Sequence, residues 1–424
     1  MASKPSFKDT ILTHLDSKSD KDFIAFAKTF IEASDTSEIS ARPAQAVAKI
    51  IRTHWEMLKE SKGSTDGCLA IKVQSQKDAQ GKSTGTIIDI ISHDMSFIVD
   101  SVTAELTSRD YSITSLIHPL TPAFSLGDDE DSDEAEAQSY SHLHITVSNA
   151  LPLSEQKKLA QTLTNIMDDV KLANKDWPMM KAMLRESQKS LSNAPSDEHH
   201  DLDIEENLEF LEYLYQDNFT LLGYREFSFS EKKGLLSSKP VEGSSLGLLR
   251  NERKPIFVNK KEISLPTDFQ IKRKDLPALH ISKVNRESSV HRKVPLDCIS
   301  VKLFDKKGKL KGEGIFIGLF TSVTYNRSLG SIPYLRRKAE KVLQRSGFKP
   351  GTHDYRSLRH ILEKYPRDEF FQIKINKLTS FCEKIMKLHE RRQVALFVRE
   401  DLFSRYVSCL VYVPRDRFET ALRL

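Results

Sequence analysis

The N-terminal stretch carries apolar side chains at helical spacing. Phe23, Phe26 and Phe30 recur every three to four positions, and Ala44, Ala48, Ile51 and Trp55 continue the rhythm, so Lys8 to about Ser61 is expected to be helical. The period then falls to two. Cys68 to Gln74 alternates apolar with polar, as a half-buried strand does, and Thr86 to Ile91 is rich in β-branched residues. A four-residue period returns at Ile98, Val102 and Leu106, an amphipathic helix that Asp94 or Ser96 is expected to cap. A strand follows at Tyr111 to Ile117, and another at His142 to Val147, where Leu143, Ile145 and Val147 share one face. Ser154 is expected to cap the next helix, striped by Leu159, Leu163, Ile166 and Val170. Strand, helix, strand, strand, helix is most of a ferredoxin-like βαββαβ unit. Its closing strand is not visible, and Cys68 to Gln74 is the candidate for that edge.

Leu184 to Asp203 is polar and reads as a linker. A helix at Ile204 to Gln216 opens a second unit of short β segments: Thr220–Phe229, Pro255–Val258, His280–Val284, Cys298–Phe304 and Ile315–Thr321. Strands without intervening helices imply an antiparallel sheet. From Pro333 the pattern is helical again, with Leu335, Ala339, Val342 and Leu343 in one stripe, a stop at Gly347, a second helix at Leu358, Ile361 and Leu362, and a third over Lys374 to Gln393. Two strands follow, Val394–Arg399 and Tyr406–Val413, and Pro414 to Phe418 reads as a helix start. The fold class is α+β. Two strands and a helix start cannot close a core, so the sequence is expected to be cut short at Leu424.

Composition narrows the function classes. Of 424 residues, 39% are hydrophobic and 29% charged, an ordinary globular balance. No run approaches the roughly 20 apolar residues of a membrane span, and the N-terminus lacks a signal peptide's apolar stretch, so neither membrane nor secreted readings are expected. Cys68, Cys298, Cys382 and Cys409 form no C-x-x-C pair, which fits a reducing cytoplasm. Gly127 to Gln138 holds seven acids and no base, while Ser331 to Leu424 holds 21 Lys/Arg against 11 Asp/Glu. Such a surplus attracts phosphate or nucleic acid, or faces an acidic neighbouring domain.

Several motifs invite chemistry. Gly312-Glu313-Gly314 with Gly318 resembles a dinucleotide loop, but the glycines run into a β segment instead of opening a helix, so a hairpin with close strand packing is favoured. His291 near Asp297 and Cys298 suggests a Cys/His pair, yet Cys298 sits in an apolar run and reads as a buried structural thiol. His199 and His200 lie in the polar linker and are expected to be solvated. His142 and His144 share one strand face and could hold a metal. No partner stands at ligand spacing, and surface histidines are the favoured reading. No metal site and no catalytic residue is expected. Arg336, Arg337, Lys338, Lys341 and Arg345 set cations on one helical face, without the interleaved aromatics that stack bases, so domain docking or solvation is favoured over nucleic acid.

His93 to Val102 is the most distinctive segment, and with it the chain becomes recognisable. HDMSFIVDSVTAEL resembles the N-terminal signature of the large bacterial NAD-specific glutamate dehydrogenases. So, in the same order, do DNFTLLGYREF, SLGLLR, SSVHRKVPLDCISVKLFD, GLFTSVTYNRSLGSIPYLRRKAEKVL, YPRDEFFQI and VREDLFSRYVSCLVYVPRDRF. The resemblance runs from about Trp55 to Leu424. It implies a regulatory and assembly region of ACT-type modules and a PAS-like module, with the dehydrogenase domain later in the chain. Residues 1–61 would be an N-terminal helical segment, 62–183 a first ACT-like module, 184–203 a linker, 204–330 a PAS-like antiparallel sheet, 331–393 a helical connector and 394–424 the start of a second ACT-like module. NAD would serve the full-length enzyme, with no cofactor expected here, because nothing matches a dinucleotide fold or the family's glutamate-binding lysines.

ACT modules often bind amino acids where strand ends meet a helix start. That places a small amino-acid effector at Asp94 and Ser96, with Asp100 further along the helix. Arg336, Arg337 and Lys341 are expected to dock onto the downstream part of the chain, within a homo-oligomer. The alternative class is a stand-alone amino-acid sensor or scaffold.

Overall fold

A computed structural model describes residues 6–15, 21–61, 68–122, 139–195, 204–232, 235–250, 277–389, 393–401 and 406–419. The acidic segment Gly127–Gln138, the pair His199–His200 and the expected strand Pro255–Val258 lie outside these residues. The chain divides into two units. One is Met1–Asn174 with Ser288–Lys293, and the other is Lys175–Glu287 with Val294–Leu424.

In the first unit the expected N-terminal helices are α1 (Phe7–Thr13), α2 (Lys21–Ala33), α3 (Thr36–Ser40) and α4 (Ala44–Glu60). They are followed by β1 (Cys68–Lys77), β2 (Ser83–His93), α5 (Ile98–Ser108), β3 (Ile113–Ile117), β4 (Leu120–Pro122), β5 (Ser139–Val147) and α6 (Leu153–Leu191). The sheet order is β1-β2-β5-β3, all antiparallel, with β4 also on β5. The early strand β1 therefore holds the edge that a closing strand would take.

Both faces of this sheet are covered. Ile88, Ile90, Leu143, Ile145 and Val147 are buried on one face, for which the buried stripes Ile98, Val102 and Leu106 of α5 and Leu159, Leu163 and Val170 of α6 supply apolar surface. The other face is packed by the helical layer, whose core of Phe23, Phe26, Phe30, Ile51 and Trp55 joins Ile91 and Ile117 of the sheet.

Two capping expectations fail. α5 begins after Phe97, which sits at φ 74° and makes no side-chain cap; its carbonyl accepts the Ser101 N–H instead. α6 begins at Leu153, so Ser154 lies inside the helix. The expected linker also starts too early, because α6 continues to Leu191. Met180, Leu184, Ser187 and Leu191 are buried at helical spacing within its polar sequence.

The second unit opens with α7 (Ile204–Tyr213), closed by a π turn, Leu214–Asn218. β6 (Phe219–Lys232), β7 (Leu235–Pro240), β8 (Leu246–Gly247), β9 (Leu279–Glu287), β10 (Pro295–Phe304) and β11 (Leu310–Phe320) then form an antiparallel sheet of order β7-β6-β11-β10-β9, with β8 on β6. The helices are α8 (Ser322–Asn326), α9 (Leu335–Ser346), α10 (His353–Lys364), α11 (Arg367–Gln372) and α12 (Ile375–His389). Gly347 ends α9 at φ 70°, as a C-terminal glycine does. Sheet and helices share one core, in which Phe320 of β11 stacks on Phe371 of α11 at 4.3 Å.

β12 (Ala395–Glu400) and β13 (Val407–Tyr412) pair as a two-stranded sheet. Phe397 is buried against Phe381 of α12 at 5.0 Å, while Leu396, Val398, Val407 and Val411 are exposed on the opposite face. The expected helix start after Pro414 is a single 3₁₀ turn, Arg415–Arg417.

Candidate functional site

The densest group of titratable side chains lies inside the first unit, between α4 and the sheet. Period-two alternation turns Asp89 of β2 and His142 and His144 of β5 to the face that α4 covers, and His54 of α4 reaches down to meet them. All four are buried. Asp89 Oδ1 lies 2.6 Å from His144 Nδ1 and 3.2 Å from His54 Nε2. His54 Nδ1 faces His142 Nδ1 at 3.3 Å, and His142 Nε2 takes the Thr121 hydroxyl at 3.0 Å. Phe26 and Phe30 of α2 close over the His142 ring at 5.3 and 5.7 Å.

One tautomer set satisfies this chain. His54 and His144 donate to Asp89, His142 donates to His54, and Thr121 donates to His142. Burial alone would push the Asp89 carboxyl up. The hydrogen bonds from His144 and His54 outweigh it and hold the group well below the usual carboxylate range. Burial pushes His142 far down, helped by His54 and His118, and lowers His144 by more than the Asp89 carboxylate restores. Arg42 lies close enough to lower His144 further, but its guanidinium donates to Ser115 and Thr146.

His142 and His144 are thus not surface histidines. The α4 layer turns what would be an open sheet face into an interior, and its His54, with Asp89, supplies the partners missing at local spacing. His54, Asp89 and His144 bring one ligand atom each within 4.8 Å of one another.

The residues expected to bind an effector are not drawn together in this way. Asp94 and Ser96 are exposed. The Asp94 N–H donates to Ser139 O, and the Ser96 carbonyl accepts from Asn174 Nδ2 at 3.1 Å. Asp100 is engaged by His291 Nδ1 at 2.8 Å, while the His291 N–H donates to Ser101 Oγ at 2.9 Å. One turn on, Lys293 Nζ donates to Glu105 at 2.6 Å and Ser108 at 2.8 Å. The segment Ser288–Lys293 therefore lies along α5.

The expected docking cations have neighbours inside the second unit. Arg336 forks onto Glu206 and also reaches Glu209, both on α7, while Arg337 pairs with Glu340 one turn along its own helix. Lys338 is buried, its ammonium donating to the Phe370 and Phe371 carbonyls. Lys341 is half-buried.

The remaining motifs resolve structurally. Gly312, Gly314 and Gly318 lie within β11, and a Cβ on Gly312 or Gly318 would stand 2.0 Å from a carbonyl oxygen of β6. Cys298 is buried in β10, and Asp297 beside it pairs with Lys283 at 2.9 Å. Among the described residues, no helix is long and apolar enough to cross a membrane.

Comparison with known proteins adds three collinear matches. Residues 26–163 match the family model described as glutamate dehydrogenase, ACT1 domain, residues 332–391 the glutamate dehydrogenase helical motif 1, and residues 395–424 the glutamate dehydrogenase ACT2 domain. The chain is 31% identical over 427 residues to an NAD-specific glutamate dehydrogenase of Halomonas elongata, covering 98% of this chain and 26% of that protein. It is 29% identical over 446 residues to the one from Pseudomonas aeruginosa, covering 100% of this chain and 26% of that protein. The Mycobacterium tuberculosis protein of the same name is 25% identical over 402 residues, covering 93% of this chain and 23% of its own length. The chain thus spans about a quarter of the length of the first two of these relatives. By these matches, the chain belongs to the N-terminal part of the NAD-specific glutamate dehydrogenase family.

Proposed function

We propose that this chain is the regulatory and assembly region of an NAD-dependent glutamate dehydrogenase whose catalytic domain lies further along a longer protein. The complete enzyme would oxidise L-glutamate with NAD and water to 2-oxoglutarate, ammonia and NADH, in the cytoplasm. The observation that carries the reading is the order of ACT1, helical and ACT2 matches along this chain, together with relatives about four times its length. The antiparallel order β7-β6-β11-β10-β9 supports a PAS-like module between the two ACT-like ones.

An amino-acid effector at Asp94 and Ser96 would meet the N-terminus of α5, whose first turn has no side-chain cap. Asp100 would join it only by leaving His291. Assembly through Arg337 and Lys341 would join this region to the downstream chain in a homo-oligomer.

The test is glutamate-dependent NADH formation by the full-length protein and by residues 1–424 alone. Activity in the first and none in the second is expected. Turnover by residues 1–424 would reverse the division of labour, and an inactive full-length protein would favour a stand-alone sensor or scaffold.

A further inference from the structure

We propose that His54, Asp89 and His144 form a structural site for a borderline divalent cation, zinc above all, which staples α4 to the first sheet. Three features carry it. The ligand atoms come from α4, β2 and β5 and converge within 4.8 Å, so the group is a junction between layers and not a local turn. The donor set is two imidazole nitrogens and one carboxylate, which suits zinc; hard cations such as magnesium and calcium demand mostly oxygen. And the cluster is short of a cation. Asp89 is a buried carboxylate whose side-chain partners, among the described residues, are the two imidazoles. Burying a carboxylate without a positive partner is costly.

The spacing of the ligand atoms is near that of a zinc site. Tetrahedral ligation at about 2.0–2.1 Å per bond separates ligand atoms by roughly 3.3 Å. His54 and Asp89 already stand 3.2 Å apart, and His144 must open from 2.6 Å. No proton need leave. His54 moves its proton from Nε2 to Nδ1 and then donates to His142 Nδ1, His142 donates from Nε2 to Thr121, and His144 carries its proton on Nε2. Each ligating nitrogen is thereby freed, and the His142–Thr121 pair becomes the outer support that ligating histidines ordinarily have. Asp89 would close the site as a chelate through its second oxygen, with a tighter bite than the tetrahedral spacing. Because the cluster is sealed under α4, the metal would enter during folding.

The experiment is to refold the full chain with and without Zn²⁺, dialyse it, and measure bound metal and thermal midpoint. About one retained zinc per chain and a raised midpoint are expected. Refolding with Co²⁺ should give visible d–d absorption without the thiolate charge-transfer bands that cysteine ligation would add. His54→Gln and His144→Gln should each abolish retention, while His142→Gln should weaken it about 10–100-fold. If a variant fails to fold, the Co²⁺ spectrum of the unsubstituted chain still decides. A folded chain that retains no metal, shows thiolate bands, or keeps its metal in the His54→Gln/His144→Gln double variant would overturn the proposal. The cluster would then be a hydrogen-bonded network only.

Discussion

Arg336 holds Glu206 with two guanidinium nitrogens, Nε at 2.9 Å from one carboxylate oxygen and Nη2 at 3.0 Å from the other, while the Tyr334 N–H donates to Glu206 Oε1 at 2.8 Å. The three-way contact pins the start of α9 to α7. Arg336→Ala should destabilise the second unit by about 1.5–3 kcal/mol, the range for hydrogen bonds to charged groups, and Arg336→Glu by more. Reversing the pair should recover only part of this, since arginine at 206 offers the Tyr334 N–H no acceptor. Denaturant midpoints check it. An Arg336→Glu chain of unchanged stability but altered assembly would return the residue to an outward docking role.

The buried histidines set a pH dependence for the first unit. His142 and His144 titrate below the ordinary 6.5 when folded, so below that pH the unfolded chain binds more protons. Their contribution is complete above about 6.5 and is lost as the pH falls toward the folded values, at about 1.4 kcal/mol per pH unit for each histidine. His142→Phe should flatten this slope, as read from urea unfolding at a series of pH values.

Asp297 predicts the opposite sign for the second unit. Burial pushes its carboxyl up, to about 6, against the attraction of Lys283. Burial also pulls Lys283 down, but the two carboxylates Asp297 and Asp368 more than offset this. With the Asp297 value above its unfolded one, the folded state holds the extra proton, so this contribution declines as pH rises from about 4 to 6. Asp297→Asn should remove that decline and leave the histidine slope intact.

Gly312→Ala should be among the most disruptive small substitutions in the chain. The new methyl would stand 2.0 Å from the Phe227 carbonyl oxygen, so β11 and β6 must part at that point. A loss of about 1–3 kcal/mol is expected, measured by thermal unfolding. Gly308→Ala is the comparison: its strain would come from a positive φ of 77°, at the Asp305–Lys309 turn, without displacing a strand.

Much of this was legible from the sequence, and the misses share a cause. The edge position of β1 follows from local alternation plus the count of strands a ferredoxin-like sheet needs. Gly347 as a helix stop and the strand glycines of β11 are also local signals. The imidazole cluster was not legible, because His54, Asp89 and His144 come from three elements and nothing in their neighbourhoods marks a shared interior. The run of α6 to Leu191 was hidden because one buried residue per turn suffices to hold a helix whose other faces are polar. Arg336 looked like part of a solvated patch, since its acceptor Glu206 lies far back in the chain.

The β12–β13 pair bears on any solution measurement of this chain. One face of the pair packs on α12 through Phe397, and the other, carrying Leu396, Val398, Val407 and Val411, offers neighbouring molecules an apolar strip. Concentration-dependent adhesion through that strip would imitate a genuine oligomer in scattering or sizing profiles. A chain bearing Leu396→Lys and Val411→Lys would be the reference preparation against which any apparent subunit number is judged.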